Sequence, residues 1–397
     1  MNRIAEIQTA LAEASLDGWL FYDFRLSDPI AYRILELPEH GIATRRWFYF
    51  VPRSGEPCKL VSAVEARRLE PLTGSAIVYR SGDEMRRGIT QILAGAKTIA
   101  MAYSPNCAIP YVSRVDAGTI ELVRALGVEV VSAADLIQRF EATLTAEQLK
   151  SHHLAAAKLR AVVDESFTEI ARQVRSNRNP HEHEIQRFVL DRFASHGLIT
   201  AEPPIVAANA HSADPHYGPS ETHPTPISRG DFVLLDLWAK EAGETSIYAD
   251  FTWVAFVGDA VPDEHARIFT IVANARDAAV ELVQRRVANQ RAVSGREADR
   301  AAREVIEDAG FGERFLHRTG HSIGREVHGT GANLDSLETD DHRMLLENTC
   351  FSVEPGIYLP GRFGVRLELD MTIENGRAEV SAGAIQREII PILAARP

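Results

Sequence analysis

The sequence predicts an α+β protein of two domains, and three observations carry that expectation. The chain has 397 residues, more than one ordinary hydrophobic core serves. Up to about residue 140, short apolar runs alternate with helical patterns. Beyond residue 146, long helical periods alternate with short apolar strands, and carboxylates sit at or near several strand ends. The boundary falls near Thr143–Thr145, which divides the chain into domains 1–143 and 144–397.

In the first domain, Met1–Ile7 opens an amphipathic helix; with Glu6 so early and no long apolar run, it does not read as a signal peptide. Trp19–Tyr22, Trp47–Val51, Lys59–Val61, Ala76–Tyr79, Thr98–Met101 and Val128–Val131 read as strands. Helical patterns fall between them at Glu84–Leu93 and Ile120–Leu126. No phosphate-binding glycine loop is present. Arg45-Arg46-Trp47 reads as a solvated strand edge before it reads as an anion-binding patch.

The second domain opens with a capping-box pattern, Thr145 with Gln148, and a helix over 146–175 with apolar positions Leu149, Leu159, Val163, Phe167, Ile170 and Val174. Asn179-Pro180 starts another helix, running to about Ser195. His181-Glu182-His183-Glu184 lacks the HExxH spacing and reads as a solvated first turn. Residues 205–230 read as loop, and His211 and His216 among small and turn residues suit a loop that lines a cleft. Two apolar strands follow, one carrying Asp236 and one opening at Asp250. A long amphipathic helix spans 263–286, and a second, capped by Ser294 and Glu297, ends at Gly310. An acidic loop over 335–347 then leads to two short strands, Phe351–Val353 and Phe363–Leu367, joined by a Pro- and Gly-rich turn.

Those last strands close on Glu354 and Glu368. An unpaired buried charge costs far more than packing returns, so a glutamate ending an apolar strand implies a partner. With Asp236, Asp250 and the glycine-flanked His321, they form an oxygen-rich set of two-metal type, suited to Mn²⁺, Co²⁺, Fe²⁺ or Zn²⁺. The bulk numbers agree with a soluble globular protein. With 45% hydrophobic and 25% charged residues, wholesale disorder is excluded as the organising state. A net charge of −12 argues against a nucleic-acid surface. No window is apolar for 18 residues, so no membrane span is expected. Three cysteines without a CxxC pair point to a reducing, cytoplasmic setting.

The ordered set Asp236, Asp250, His321, Glu354 and Glu368 resembles the five metal ligands of the pita-bread metallopeptidases, the family of methionine aminopeptidases, aminopeptidase P and Xaa-Pro dipeptidases. The matching stretches are Leu234–Leu237, Ala249–Thr252, Gly320–His328, Val353–Tyr358 and Gly364–Glu368. The first 140 residues are similar, more loosely, to the creatinase-type N-terminal domain of prolidases. The resemblance implies two divalent ions, Mn²⁺ first and Co²⁺ or Zn²⁺ as alternatives, bridged by Asp250 and Glu368. Asp236 would chelate one ion, and His321 and Glu354 would complete the other. It implies hydrolysis of Xaa-Pro dipeptides by a metal-activated hydroxide, with aminopeptidase P or a creatinase-like hydrolase as alternatives. Glu354 would act as general base, and His216 and His328 would face the scissile carbonyl. His211 would line the same cleft, and Arg366 would hold a ligand carboxylate beside the substrate. A homodimer is also implied, as is a cation for the substrate carboxylate, with Arg45, Arg46, Arg343 and Arg362 as candidates. Two departures stand out: Asp236 and Asp250 lie fourteen apart, wider than the family's usual interval, and Trp253 stands where the family pattern has an arginine.

Overall fold

The computed structural model describes residues 3–339, 341–383 and 385–394. The chain divides into two compact units, Met1–Glu141 and Ala142–Pro397.

The first unit holds a six-stranded mixed sheet in the order β4-β3-β2-β1-β5-β6. Its strands are β1 (Gly18–Asp23), β2 (Trp47–Pro52), β3 (Cys58–Ser62), β4 (Ser75–Tyr79), β5 (Thr98–Met101) and β6 (Glu129–Ser132). β1 is buried along its whole length and β2 along all but its last residue. That is why both read as unbroken apolar runs rather than as an alternation. Helices α1 (Arg3–Glu13), α2 (Pro29–Ile34), α3 (Gly82–Ile92), α4 (Ala117–Arg124) and α5 (Ala134–Ile137) complete the unit, and its core is rich in aromatics, Trp19, Trp47, Phe48 and Tyr49 among them.

In the second unit, Thr145 and Gln148 form the reciprocal capping box that starts α6 (Ala146–Arg175), and α7 (Glu182–His196) ends on Gly197 in the left-handed region. The central sheet pairs β9 (Phe232–Glu241) with β10 (Ala249–Phe256), flanked by β7 (Leu198–Ile199), β8 (Ile205–Ala208) and β17 (Ile390–Pro391). A second sheet runs β11 (Ser322–Ile323), β12 (Thr349–Val353), β15 (Leu369–Glu374) and β16 (Arg377–Val380). A separate hairpin joins β13 (Gly356–Leu359) to β14 (Phe363–Arg366). α6 packs against β9 and β10, and α8 (Asp263–Ala288) packs along α9 (Gly295–Asp308). Among the described residues, no helix is long and apolar enough to cross a membrane.

Three local expectations need correction. Residues 205–208 are not loop but β8, paired with β9 and buried throughout. Their small apolar side chains show no alternation because both faces are covered. Likewise, the turn expected between Phe351–Val353 and Phe363–Leu367 contains a strand of its own: β13 pairs with β14, while β12 pairs with β15. Finally, Glu182 in the expected solvated first turn is only 1% exposed, because His211 and Tyr217 bind its carboxylate.

Candidate metal centre

Strand register brings the carboxylates together. In the antiparallel β9–β10 pair, Asp236 faces Thr252 and Trp238 faces Asp250. Side chains two apart share a face, so Asp236, Asp250 and Thr252 project from one side of the sheet. Trp253 alternates to the other side, where the Arg160 guanidinium lies 3.7 Å from the centroid of its ring. The missing arginine therefore falls on the face away from the carboxylates. The added length between the two aspartates lies in the strand ends and the turn beyond them, and the pairing runs unbroken from Phe232↔Phe256 to Ala239↔Ala249.

Glu354 and Glu368 follow the same logic on the hairpin. Gly356 pairs with Arg366, so residues two further out on each side, Glu354 and Glu368, stand at its open base. Glu368 is tied to the sheet by its amide, which donates to the Thr252 carbonyl at 3.1 Å. The Glu354 amide donates to the Thr319 carbonyl at 2.6 Å, and the Ser352 amide to the His321 carbonyl at 2.8 Å. Gly320 permits this approach: a Cβ there would stand 2.0 Å from the Ser352 carbonyl oxygen.

The result is a compact cluster. His321 Nε2 lies 3.5 Å from Glu354 Oε1, 3.6 Å from Asp250 Oδ2 and 3.9 Å from Glu368 Oε1. Asp250, His321 and Glu368 each offer a ligand atom within 4.8 Å of the others, and all three are buried. Asp236 joins through Thr252, whose hydroxyl lies 2.9 Å from Asp236 Oδ1 and 2.8 Å from Glu368 Oε2. Arg366 closes the network, with Nη2 on Asp236 Oδ2, Nε donating to the Thr252 hydroxyl at 3.0 Å and Nη1 to the Tyr358 hydroxyl at 3.2 Å.

The electrostatics suit a cation. Burial, followed by the charges of Asp236, Asp370 and Glu354, raises the Asp250 carboxyl well above its ordinary range. Burial, then the charges of Asp250, Glu354 and Asp236, raises Glu368, and burial lifts Glu354 to about 7 against the pull of Arg366 and Arg318. Asp250 Oδ1 and Glu368 Oε1 are buried without a hydrogen-bond partner. Carboxylates crowded together with orphaned oxygens and an imidazole are what divalent ions require. Asp370, whose Oδ2 accepts from the Asp250 amide at 2.9 Å, supports Asp250 from behind.

The cluster opens into a cavity of about 600 Å³ whose lining includes His216, His328, Trp238, Lys240, Tyr248 and Arg366 beside the five expected ligands. The His328 ring stands edge-on to His321 with centroids 4.4 Å apart. Burial, then the charges of Arg318 and His216, pull the His328 imidazole down to about 4, so it is neutral at working pH. His211 does not line this cavity; its Nδ1 lies 3.0 Å from Glu182 Oε1 and its ring stacks on Tyr217.

Residues 153–375 match the profile of Metallopeptidase family M24. The chain belongs to that family. It is 26% identical to the "Probable dipeptidase PepE" of Mycobacterium bovis over 348 residues, which cover 86% of this chain and 84% of that one. It is 37% identical to the "Xaa-Pro dipeptidase" of Lactobacillus delbrueckii subsp. lactis over 171 residues, 43% of this chain and 42% of that one. The crystal structure of dipeptidase PepE from Mycobacterium ulcerans superposes with a TM-score of 0.71 at 25% identity, covering 98% of this chain and 96% of the other. The prolidase of Pyrococcus horikoshii OT3 shares the fold with a TM-score of 0.65 at 23% identity, covering 98% and 100%. This M24 metallopeptidase thus has the pita-bread fold that the resemblance implies.

Sequence reasoning missed several parts of the site. Thr252 lies inside a matched motif with no local mark of a role, yet it links Asp236, Glu368 and Arg366. Asp370 was passed over as well, and its signal is the period of two that it continues from Glu368.

Proposed function

We propose that this M24 metallopeptidase hydrolyses Xaa-Pro dipeptides, with two divalent ions, Mn²⁺ first among them, held by Asp236, Asp250, His321, Glu354 and Glu368. The observation that carries the reading is the convergence of four carboxylates and a neutral imidazole on the wall of one cavity of about 600 Å³, a volume in the range of small-ligand sites. Divalent ions held there would lower the pKa of a bound water and so supply a nucleophile at neutral pH.

The chain's own residues divide the remaining work. Glu354, on the wall of the cavity, would take the proton from the attacking water. His328 and His216 line the same cavity as the cluster. Neutral His328 presents an N–H to the carbonyl oxygen as negative charge develops on it. One of the two histidines returns a proton to the proline nitrogen, which leaves poorly as an anion. Arg366 is a positioning residue: it holds Asp236 and Thr252 in place.

The dipeptidase reading also carries a homodimer and a cytoplasmic setting. Cys58, Cys107 and Cys350 are all free thiols, which suits a reducing compartment. Hydrolysis of Ala-Pro and Leu-Pro with added Mn²⁺ tests the reading. No turnover with any divalent ion refutes it, and preferential cleavage of Xaa-Pro-Yaa tripeptides moves the protein to aminopeptidase P.

A further inference from the structure

The cavity of the candidate metal centre contains a lysine that makes no ion pair among the described residues. β9 presents Asp236, Trp238 and Lys240 on one face, because successive side chains alternate. Trp238 pairs with Asp250, so the Lys240 Cα stands two residues, about 7 Å, beyond the Asp250 row. Lys240 belongs to the stretch that widens the interval between the two aspartates. It lines the cavity together with Tyr248.

Its Nζ donates to the Arg325 backbone oxygen at 2.8 Å and lies 5.0 Å from the centroid of the Tyr248 ring. An ammonium has three donors, so two remain to be satisfied. Among the described residues no carboxylate pairs with it. Burial and the charge of Arg325 pull the group below its ordinary range, against the attraction of Glu326.

The other candidate cations are engaged or elsewhere. Arg366 is held by Asp236, Thr252 and Tyr358, and Arg325 Nε donates to the Glu244 carbonyl at 3.0 Å. Arg343 is enclosed by Asp341 and the backbone oxygens of Thr330 and Gly331, and Arg362 pairs with Glu264. Neither lines the cavity. Arg45 and Arg46 belong to the first unit.

We propose that Lys240 binds the free carboxylate of the substrate, so that the cavity selects peptides ending one residue after the scissile bond. The inference rests on the dipeptidase reading. A carboxylate one residue past the scissile carbonyl stands about 5 Å from it, and the four-carbon lysine stem covers the rest of the span. A compact, rotatable point charge suits a carboxylate whose orientation follows the leaving residue.

The test compares metal-loaded wild type, Lys240→Met and Lys240→Arg on Ala-Pro and on Ala-Pro amide, which lacks the carboxylate charge. Lys240→Met should raise KM for Ala-Pro about 10- to 100-fold, as loss of a charged hydrogen bond does, with kcat nearly unchanged. It should leave the amide unaffected, and Lys240→Arg should recover most of the loss. An equal effect on both substrates, or none on Ala-Pro, overturns the proposal. If wild type cleaves neither, the dipeptidase reading itself has failed, and calorimetry of proline against prolinamide decides the subsite. A wild-type preference for proline that Lys240→Met abolishes upholds it; equal binding by wild type overturns it.

Discussion

Thr252→Val is the sharpest perturbation of the ligand cluster, because it removes one oxygen and keeps the side-chain shape. That oxygen lies 2.8 Å from Glu368, 2.9 Å from Asp236 and 3.0 Å from Arg366 Nε, all buried. A hydroxyl has a single hydrogen, so it donates to one of the two carboxylates at a time while a lone pair accepts from Arg366 Nε. Valine leaves the guanidinium short of an acceptor and a carboxylate short of a donor. Each hydrogen bond lost at a charged group costs about 1.5–3 kcal/mol. Asp236 and Glu368 then lose the tie that sets their relative position, and loss of such a supporting contact lowers metal affinity about 10- to 100-fold. Competition titration of Mn²⁺ against a chromophoric chelator measures the affinity, and urea unfolding followed by circular dichroism measures the stability. Affinity within twofold of wild type, with unchanged unfolding, would show that Thr252 only fills space and that the network does not organise the ligands.

Three further outcomes follow from the same geometry. Asp250→Asn removes one charge from a cluster whose members raise one another's pKa, so it should increase the melting temperature of the chelator-treated protein and erase the increase that Mn²⁺ gives wild type; calorimetry with and without the ion checks both. His328→Ala should lower kcat about 100-fold, the usual scale for removing one donor at a developing oxyanion, with metal content by elemental analysis unchanged. His152 is fully buried, and its imidazole is pulled down to about 4, chiefly by burial. The unfolded chain therefore binds the proton first as pH falls, and stability drops between about pH 6.5 and 4, by roughly 3 kcal/mol in total. Urea midpoints across that range should show the slope in wild type and a shallower one in His152→Gln.

The five proposed ligands stand out in the sequence because each breaks a local pattern: an acid closing or opening an apolar run, and a histidine between glycines. Their purpose could be read from cost alone, since buried charges demand a counter-charge. Thr252 and Lys240 were not legible, because a threonine and a lysine are ordinary strand residues. Only the β9–β10 register shows that both lie on the aspartate face. His211 looked like a cleft residue from its loop composition, yet the Glu182 that holds it comes from the first turn of α7, twenty-nine residues earlier. β8 escaped for a related reason: Val206, Ala207 and Ala208 are small and covered on both faces, so no period of two marks them. Where long-range pairing decides a residue's surroundings, local sequence carries no trace of it.

Anomalous diffraction from crystals grown with Mn²⁺ tests the central claim most directly. The account predicts two peaks per chain, both within coordination distance of Asp250 and Glu368, one also touching Asp236 and the other His321 and Glu354. A single peak, or Mn²⁺ bound away from these five side chains, would contradict it.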